Sequence, residues 1–301
     1  MKEITNAAVV GAGTMGHGIA FVLAREGIDV CLIDHADQAL KHAANEIEDL
    51  LHASVQKQTI TLGESERIKG RIKMSSDLNQ MAGRHLLIEA VSEDLELKRQ
   101  IFLAADRLID PRGLLATNTS SLSVASICEP MANQDRMLGL HFFNPPHIMK
   151  LLEIVAHPKT SSSSIESARH LGQLLRKECI LVNDSPGFAT SRLGISFALE
   201  AIRMLETRVA GVTELDGAMK LGYGHPMGPL MLTDWVGLDV RLAISEHLFR
   251  TLESRVFAPP NLLRRMVRAG MLGRKSGTGF YEWDKGRSLG VSPVFMDLLN
   301  G

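Results

Sequence analysis

A run of small apolar residues, Ala7 to Val10, leads directly into GAGTMGHG and then into an apolar stretch from Met15 to about Arg25 that reads as a helix. Gly11, Gly13 and Gly16 therefore form G-x-G-x-x-G between a strand and a helix, the context in which that pattern has a mechanism. The first glycine permits a tight turn. The second lets backbone approach a pyrophosphate, and the third lets helix and strand pack closely. The helix start then offers free N–H groups and the positive end of its dipole to an anion. Gly11, Gly13 and Gly16, with Thr14 and Met15 between them, are the expected phosphate-binding residues. Asp34 closes a second apolar strand, Val30 to Ile33, eighteen residues past the third glycine. A carboxylate there accepts hydrogen bonds from ribose hydroxyls and repels a 2′-phosphate, so the expected cofactor is NAD rather than NADP. The plainer alternative is that Asp34 merely ends a strand.

Further strands alternate with helical stretches. A long polar-apolar helix spans 36 to about 57, Leu86 to Val91 is a buried strand, and 94 to 108 is a helix. Leu114 to Thr117 is again a strand, followed by NTSSLS capping a short helix. Continuously apolar strands separated by helices predict a mostly parallel sheet covered on both faces. After DSPGF (Asp184 to Phe188) the texture changes to helical periods, with Ile195, Leu199, Ile202 and Leu205 on one face. The expected fold is α/β: a Rossmann-type domain over 1–186, then an all-helical domain over 187–301 closed by the Gly-punctuated aromatic turn RKSGTGFYEW.

Within the first domain, His141 lies in an apolar run from Met137 to Phe143 and Glu153 in another from Leu151 to Val155, joined across Pro145 and Pro146. A charged Glu in such a run is costly unless paired. An imidazole is the obvious partner, and a carboxylate on one ring nitrogen fixes the tautomer that leaves the other free to take a proton. The alternative is a core histidine bonded to a carbonyl and a glutamate turned outward.

The composition is that of an ordinary soluble protein, with 45% hydrophobic and 22% charged residues. A net charge of -1 does not point to nucleic acid or an anionic membrane as partner. Cys31, Cys128 and Cys179 are widely spread, without metal-ligand or redox spacing, so no metal is expected and a reducing compartment is. No apolar stretch approaches membrane-spanning length, and MKEITNAAVVGAG enters a strand without a secretory segment. The expected location is the cytoplasm.

The segments VVGAGTMGHGIA, IEAVSED, ATNTSSLSV, GLHFFNPP with MKLLEIV, DSPGF, MKLGYGHPMGP, DWVGLD and RKSGTGFYEW occur in order across nearly the whole chain. Together they resemble the L-3-hydroxyacyl-CoA dehydrogenase family, especially its short bacterial 3-hydroxybutyryl-CoA members. The resemblance implies oxidation of a 3-hydroxyacyl-CoA with NAD and a helical domain that makes a homodimer. It implies that His141 is the catalytic base, Glu153 its partner, and that Ser120 and Asn144 lie at the nicotinamide and the substrate hydroxyl. By the same resemblance Glu93, Lys98 and Asn118 line the cofactor side, Lys275 reaches the cofactor from the C-terminal turn, and Lys57 points toward the CoA phosphates. Ser120 has a second reading as a helix cap.

Two departures bear on substrate. The family has Asn where this chain reads PGFATSR, so Ser191 takes that place with a shorter reach toward the acyl carbonyl. The turn after Asn144 reads PPHIMK, and NPPH resembles NAD-dependent dehydrogenases of CoA-free hydroxy acids such as L-gulonate and carnitine. His147 itself reads as a turn residue. Dehydrogenation of a free 3-hydroxy acid and a non-catalytic NAD-binding role are the alternatives to the acyl-CoA reading.

Overall fold

Eight strands form one sheet: β1 (Asn6–Val10), β2 (Asp29–Ile33), β3 (Ile72–Ser75), β4 (Leu86–Glu89), β5 (Leu114–Thr117), β6 (Met137–Phe142), β7 (Leu151–Ala156) and β8 (Glu178–Asn183). The computed structural model describes residues 3–300, and its chain divides into one unit ending at Phe188 and another starting at Ala189. The strand order is β3-β2-β1-β4-β5-β6-β7-β8, and the β6/β7 pair alone is antiparallel. The connection from 143 to 150 explains that exception, because a link this short can return only to an antiparallel neighbour. Order reverses between β1 and β4, the switch point where an open α/β sheet binds ligands beyond its strand ends.

Six helices cover the sheet: α1 (Thr14–Arg25), α2 (Asp37–Gln56), α3 (Leu62–Gly70), α4 (Leu95–Leu108), α5 (Val124–Cys128) and α6 (Ser162–Leu174). Alternate strand residues face opposite ways. Ala7, Val9, Val30, Leu32, Leu86 and Ile88 pack with α1, α2 and α6. Ala8, Val10, Cys31, Ile33 and Leu87 pack with α4 and α5. Each fully buried Val, Leu, Ile or Phe contributes about 1.5–3 kcal/mol, so both faces hold the strand ends in place.

The second unit contains α7 (Thr190–Glu206), α8 (Val212–Tyr223), α9 (Pro229–Val236), α10 (Leu238–Leu252), α11 (Asn261–Arg268) and α12 (Pro293–Asn300). The aromatic segment near its end adds a hairpin to this helical unit, β9 (Tyr281–Asp284) against β10 (Arg287–Val291). Two buried carboxylates set that segment. Asp234 accepts from the Phe280 and Tyr281 amides and the Trp283 indole, and Asp216 accepts from Tyr281 Oη. No helix of the described residues is long and apolar enough to cross a membrane.

Candidate active site

The glycine turn sits where β1 feeds α1. Gly11 has φ +103°, and a Cβ there would come within 2.6 Å of the Ala90 carbonyl oxygen. At Gly16 a Cβ would stand 1.7 Å from the Gly11 carbonyl oxygen, so only glycine lets α1 start this close to the turn. A Cβ on Gly13, by contrast, would meet nothing within 4 Å, leaving the approach open. Gly13 is the cap of α1, no side chain caps it, and no acid occupies the first turn. The N-terminal N–H groups and the dipole are thus left for an anion, with exposed Thr14 and half-buried Met15 beside them. Asp34 stands at the end of β2, with Oδ2 accepting from the Ala12 amide at 2.8 Å and Oδ1 from the Ala36 amide at 3.0 Å. It is therefore part of the glycine turn's scaffold. A carboxylate offers about four lone-pair sites, so these bonds leave capacity for ribose hydroxyls. These residues fit NAD.

Across the switch point lies a buried ionic cluster. Lys98 on α4 is 1% exposed, and its ammonium sits 2.7 Å from Glu89 Oε1 and 3.3 Å from Glu93 Oε2. Glu89, at the end of β4, also accepts from Thr117 Oγ1 and the Val91 amide. Burial pushes the Glu89 carboxyl up, against the pull of Lys98. Glu93 is held below the ordinary carboxylate range by Lys98 and the Thr119 and Ser121 hydroxyls, against the opposing effect of its own burial. It accepts from the Ser120 and Ser121 amides at 3.0 Å and from Thr119 Oγ1 at 2.6 Å, fixing the loop after β5. Lys98 therefore acts on its surroundings through two glutamates. The sequence signal for Glu89, a charged residue inside the apolar run LLIEAV, is the same as that for Glu153.

Ser120 is exposed on this loop. The cap of α5 is Ser123, whose side chain accepts from the Ser126 amide, which corrects the reading of Ser120 as a cap. Asn118 Oδ1 accepts from the Phe142 amide at 2.8 Å, tying the end of β5 to the end of β6.

His141 and Glu153 are direct cross-strand partners in β6 and β7. Residues opposed in this way project to the same face. His141 Nδ1–H donates to Glu153 Oε2 at 2.6 Å. Glu153 is fully buried and His141 is 7% exposed, its ring flanked by Phe143 at 4.5 Å and Phe188 at 5.8 Å between centroids. The proton on Nδ1 leaves the lone pair on Nε2. Such a pair can take up a proton at Nε2 while the carboxylate offsets the charge gained.

Asn144 follows, exposed, on the turn to β7. Lys177 clamps that turn by donating to the carbonyls of Pro146 and, at 2.6 Å, Met149. The turn also packs on α1, where a Cβ on Gly18 would meet Pro146 at 3.0 Å. His147 lies edge-on to Phe21 of α1 at 6.2 Å. Its pKa is lowered by burial, then by Arg25, Lys177, His17 and Lys57, so Lys57 at the end of α2 belongs to a basic cluster beside this turn. Lys275 and Ser191 belong to the other unit. Lys275 pairs with Asp239 at 2.6 Å, and Ser191 lies in the first turn of α7.

The family model described as 3-hydroxyacyl-CoA dehydrogenase, NAD binding domain, matches residues 6–185, and the one for its C-terminal domain matches 187–283. The chain belongs to the 3-hydroxyacyl-CoA dehydrogenase family. This dehydrogenase is 39% identical over 282 residues to a 3-hydroxybutyryl-CoA dehydrogenase of Mycobacterium tuberculosis, covering 93% of this chain and 99% of that one. It is 38% identical over 284 residues to a 3-hydroxyadipyl-CoA dehydrogenase of Escherichia coli, covering 94% of this chain and 60% of that one. The crystal structure of (S)-3-hydroxybutyryl-CoA dehydrogenase from Ralstonia eutropha superposes with a TM-score of 0.90 at 35% identity, covering 94% of this chain and all of that one. The dehydrogenase is thus an NAD-dependent oxidoreductase with a mostly parallel cofactor domain and a helical C-terminal domain.

Proposed function

We propose that this protein oxidises an L-3-hydroxyacyl-CoA to the 3-oxoacyl-CoA, or runs the reverse, with His141 as acid/base and Glu153 as its partner. The observation that carries this reading is the 2.6 Å His141–Glu153 bond at the same strand-end edge as the glycine turn. Hydride acceptance is the chemistry that NAD supplies when bound. His141 Nε2 takes the hydroxyl proton, and Glu153 offsets the charge on the ring. In the reverse direction His141 returns the proton to the forming alkoxide. Ser120 and Asn144 orient the hydroxyl and the nicotinamide. Gly11, Gly13, Thr14, Met15 and Gly16 hold the pyrophosphate and Asp34 the ribose, while Glu93, Lys98, Asn118 and Lys275 complete the cofactor side. Lys57 addresses the CoA phosphates and Ser191 the acyl carbonyl. Burial raises all three thiols, Cys128 to about 11, so none is a nucleophile near neutral pH.

Residues 1–186 carry the cofactor and 187–301 the substrate and dimer contacts. Exposed Leu193, Leu221, Tyr223 and Leu289 in the helical unit support a homodimer, and we place the protein in the cytoplasm. A second reading, a CoA-free 3-hydroxy acid as substrate, draws on the PPHIMK turn. It also draws on the likeness to a solved diketoreductase that catalyses reactions of dicarbonyl compounds, which superposes with a TM-score of 0.81 at 28% identity. NADH oxidation with acetoacetyl-CoA against acetoacetate tests the two. Turnover of the CoA ester supports the first reading, turnover of the acid alone supports the second, and turnover of neither rejects both.

A further inference from the structure

Arg241, in the first turn of α10, is 6% exposed, and among the described residues its guanidinium donates to no acceptor. Nε is sealed from solvent without a partner. Burial pulls its pKa down to about 10, so the side chain is still a cation at neutral pH, and among the described residues no opposite charge offsets it. Asp239 lies two positions back on the helix, where residues do not face each other, and is taken by Lys275. An unpaired buried cation is among the most costly groups a fold can contain. An acceptor from outside the unit would complete it.

The neighbouring surface leaves room for one. A Cβ on Gly194 of α7 would stand 3.4 Å from Arg241 Nη1 and meet nothing else within 4 Å. A longer side chain at 194 would cover the guanidinium. Ser191 lies three residues earlier on the same face of α7, about 4.5 Å along the helix axis.

We propose that Arg241 anchors a carboxylate carried by the substrate, making the enzyme selective for 3-hydroxy substrates with a free carboxylate. This rests on the reading of Ser191 as the residue that addresses the acyl carbonyl. The planar guanidinium matches a carboxylate in a two-point fork. The carboxylate has two possible sources: the far end of a dicarboxylic acyl chain on CoA, or the acid group of a CoA-free substrate.

The test compares kcat/KM for NADH-dependent reduction of acetoacetyl-CoA, 3-oxoadipyl-CoA and acetoacetate by wild type, Arg241→Met and Arg241→Lys. The wild type should favour one carboxylate-bearing substrate over acetoacetyl-CoA by more than about tenfold, and Arg241→Met should cut that ratio by about tenfold to a hundredfold. Arg241→Lys should fall between them. The substrate that responds identifies the source of the carboxylate. Adipate should raise the melting temperature of the wild type and not of Arg241→Met. An unchanged ratio overturns the proposal. So does an equal loss with both CoA esters, which would place a CoA phosphate on Arg241. A change in oligomeric mass in Arg241→Met overturns it too, because a second copy would then supply the acceptor. If the wild type reduces none of the three compounds the dehydrogenase reading fails, and the adipate shift still decides for or against the carboxylate site.

Discussion

Asp34 does two things with one carboxylate. It bonds the Ala12 and Ala36 amides, and in the proposed cofactor site its charge would disfavour a 2′-phosphate. We expect NADH to bind much more tightly than NADPH in a fluorescence titration at physiological salt, and equal affinities would contradict the assignment. His147 gives a pH dependence with a definite sign. Burial and the surrounding cations lower its pKa from the ordinary 6.5, so the folded protein binds fewer protons there than the unfolded chain. Its contribution to stability is present above about 6.5 and is lost as pH falls through the folded value. His147→Gln should therefore flatten the decline in melting temperature between about pH 7 and pH 5, and an unchanged slope would show that His147 does not carry it.

At the scale of elements, the β1–turn–α1 joint depends on Gly16. A methyl group there would overlap the Gly11 carbonyl oxygen, so the turn must open. Overpacking of this kind typically costs about 1–3 kcal/mol. Gly16→Ala should lower the melting temperature and weaken NADH binding at least about tenfold; retained affinity in the same titration would disprove the close packing. This joint was legible in sequence because its signal is local. So was the His141–Glu153 pairing, since two apolar runs a short turn apart can only pair antiparallel. β3 and β8 were not legible. Ile72–Ser75 and Glu178–Asn183 are strands at the sheet's two edges with half-exposed, mixed residues, and their pairing with β2 and β7 is set by tertiary contact. The Lys177 clamp was equally hidden, because its acceptors are backbone carbonyls about thirty residues away. Arg241 reads in sequence as an ordinary helical arginine, and burial without a partner is visible only in the fold.

For the whole molecule, the helical unit leaves Leu221 and Tyr223 largely exposed, which a second copy would cover. A chain ending near residue 186 should be monomeric by light scattering and still bind NADH weakly, whereas a dimer of that fragment would move the contact to the cofactor domain. The proposed chemistry depends most on the pair at the end of β6 and the start of β7. Its most direct test is kcat for NADH oxidation with acetoacetyl-CoA in the wild type and in His141→Ala, with NADH affinity measured on both. We expect kcat to fall by about two to four powers of ten, the usual range for losing a general acid-base group, with NADH affinity retained. Near-normal turnover by His141→Ala would contradict the account and place the proton transfer on another residue.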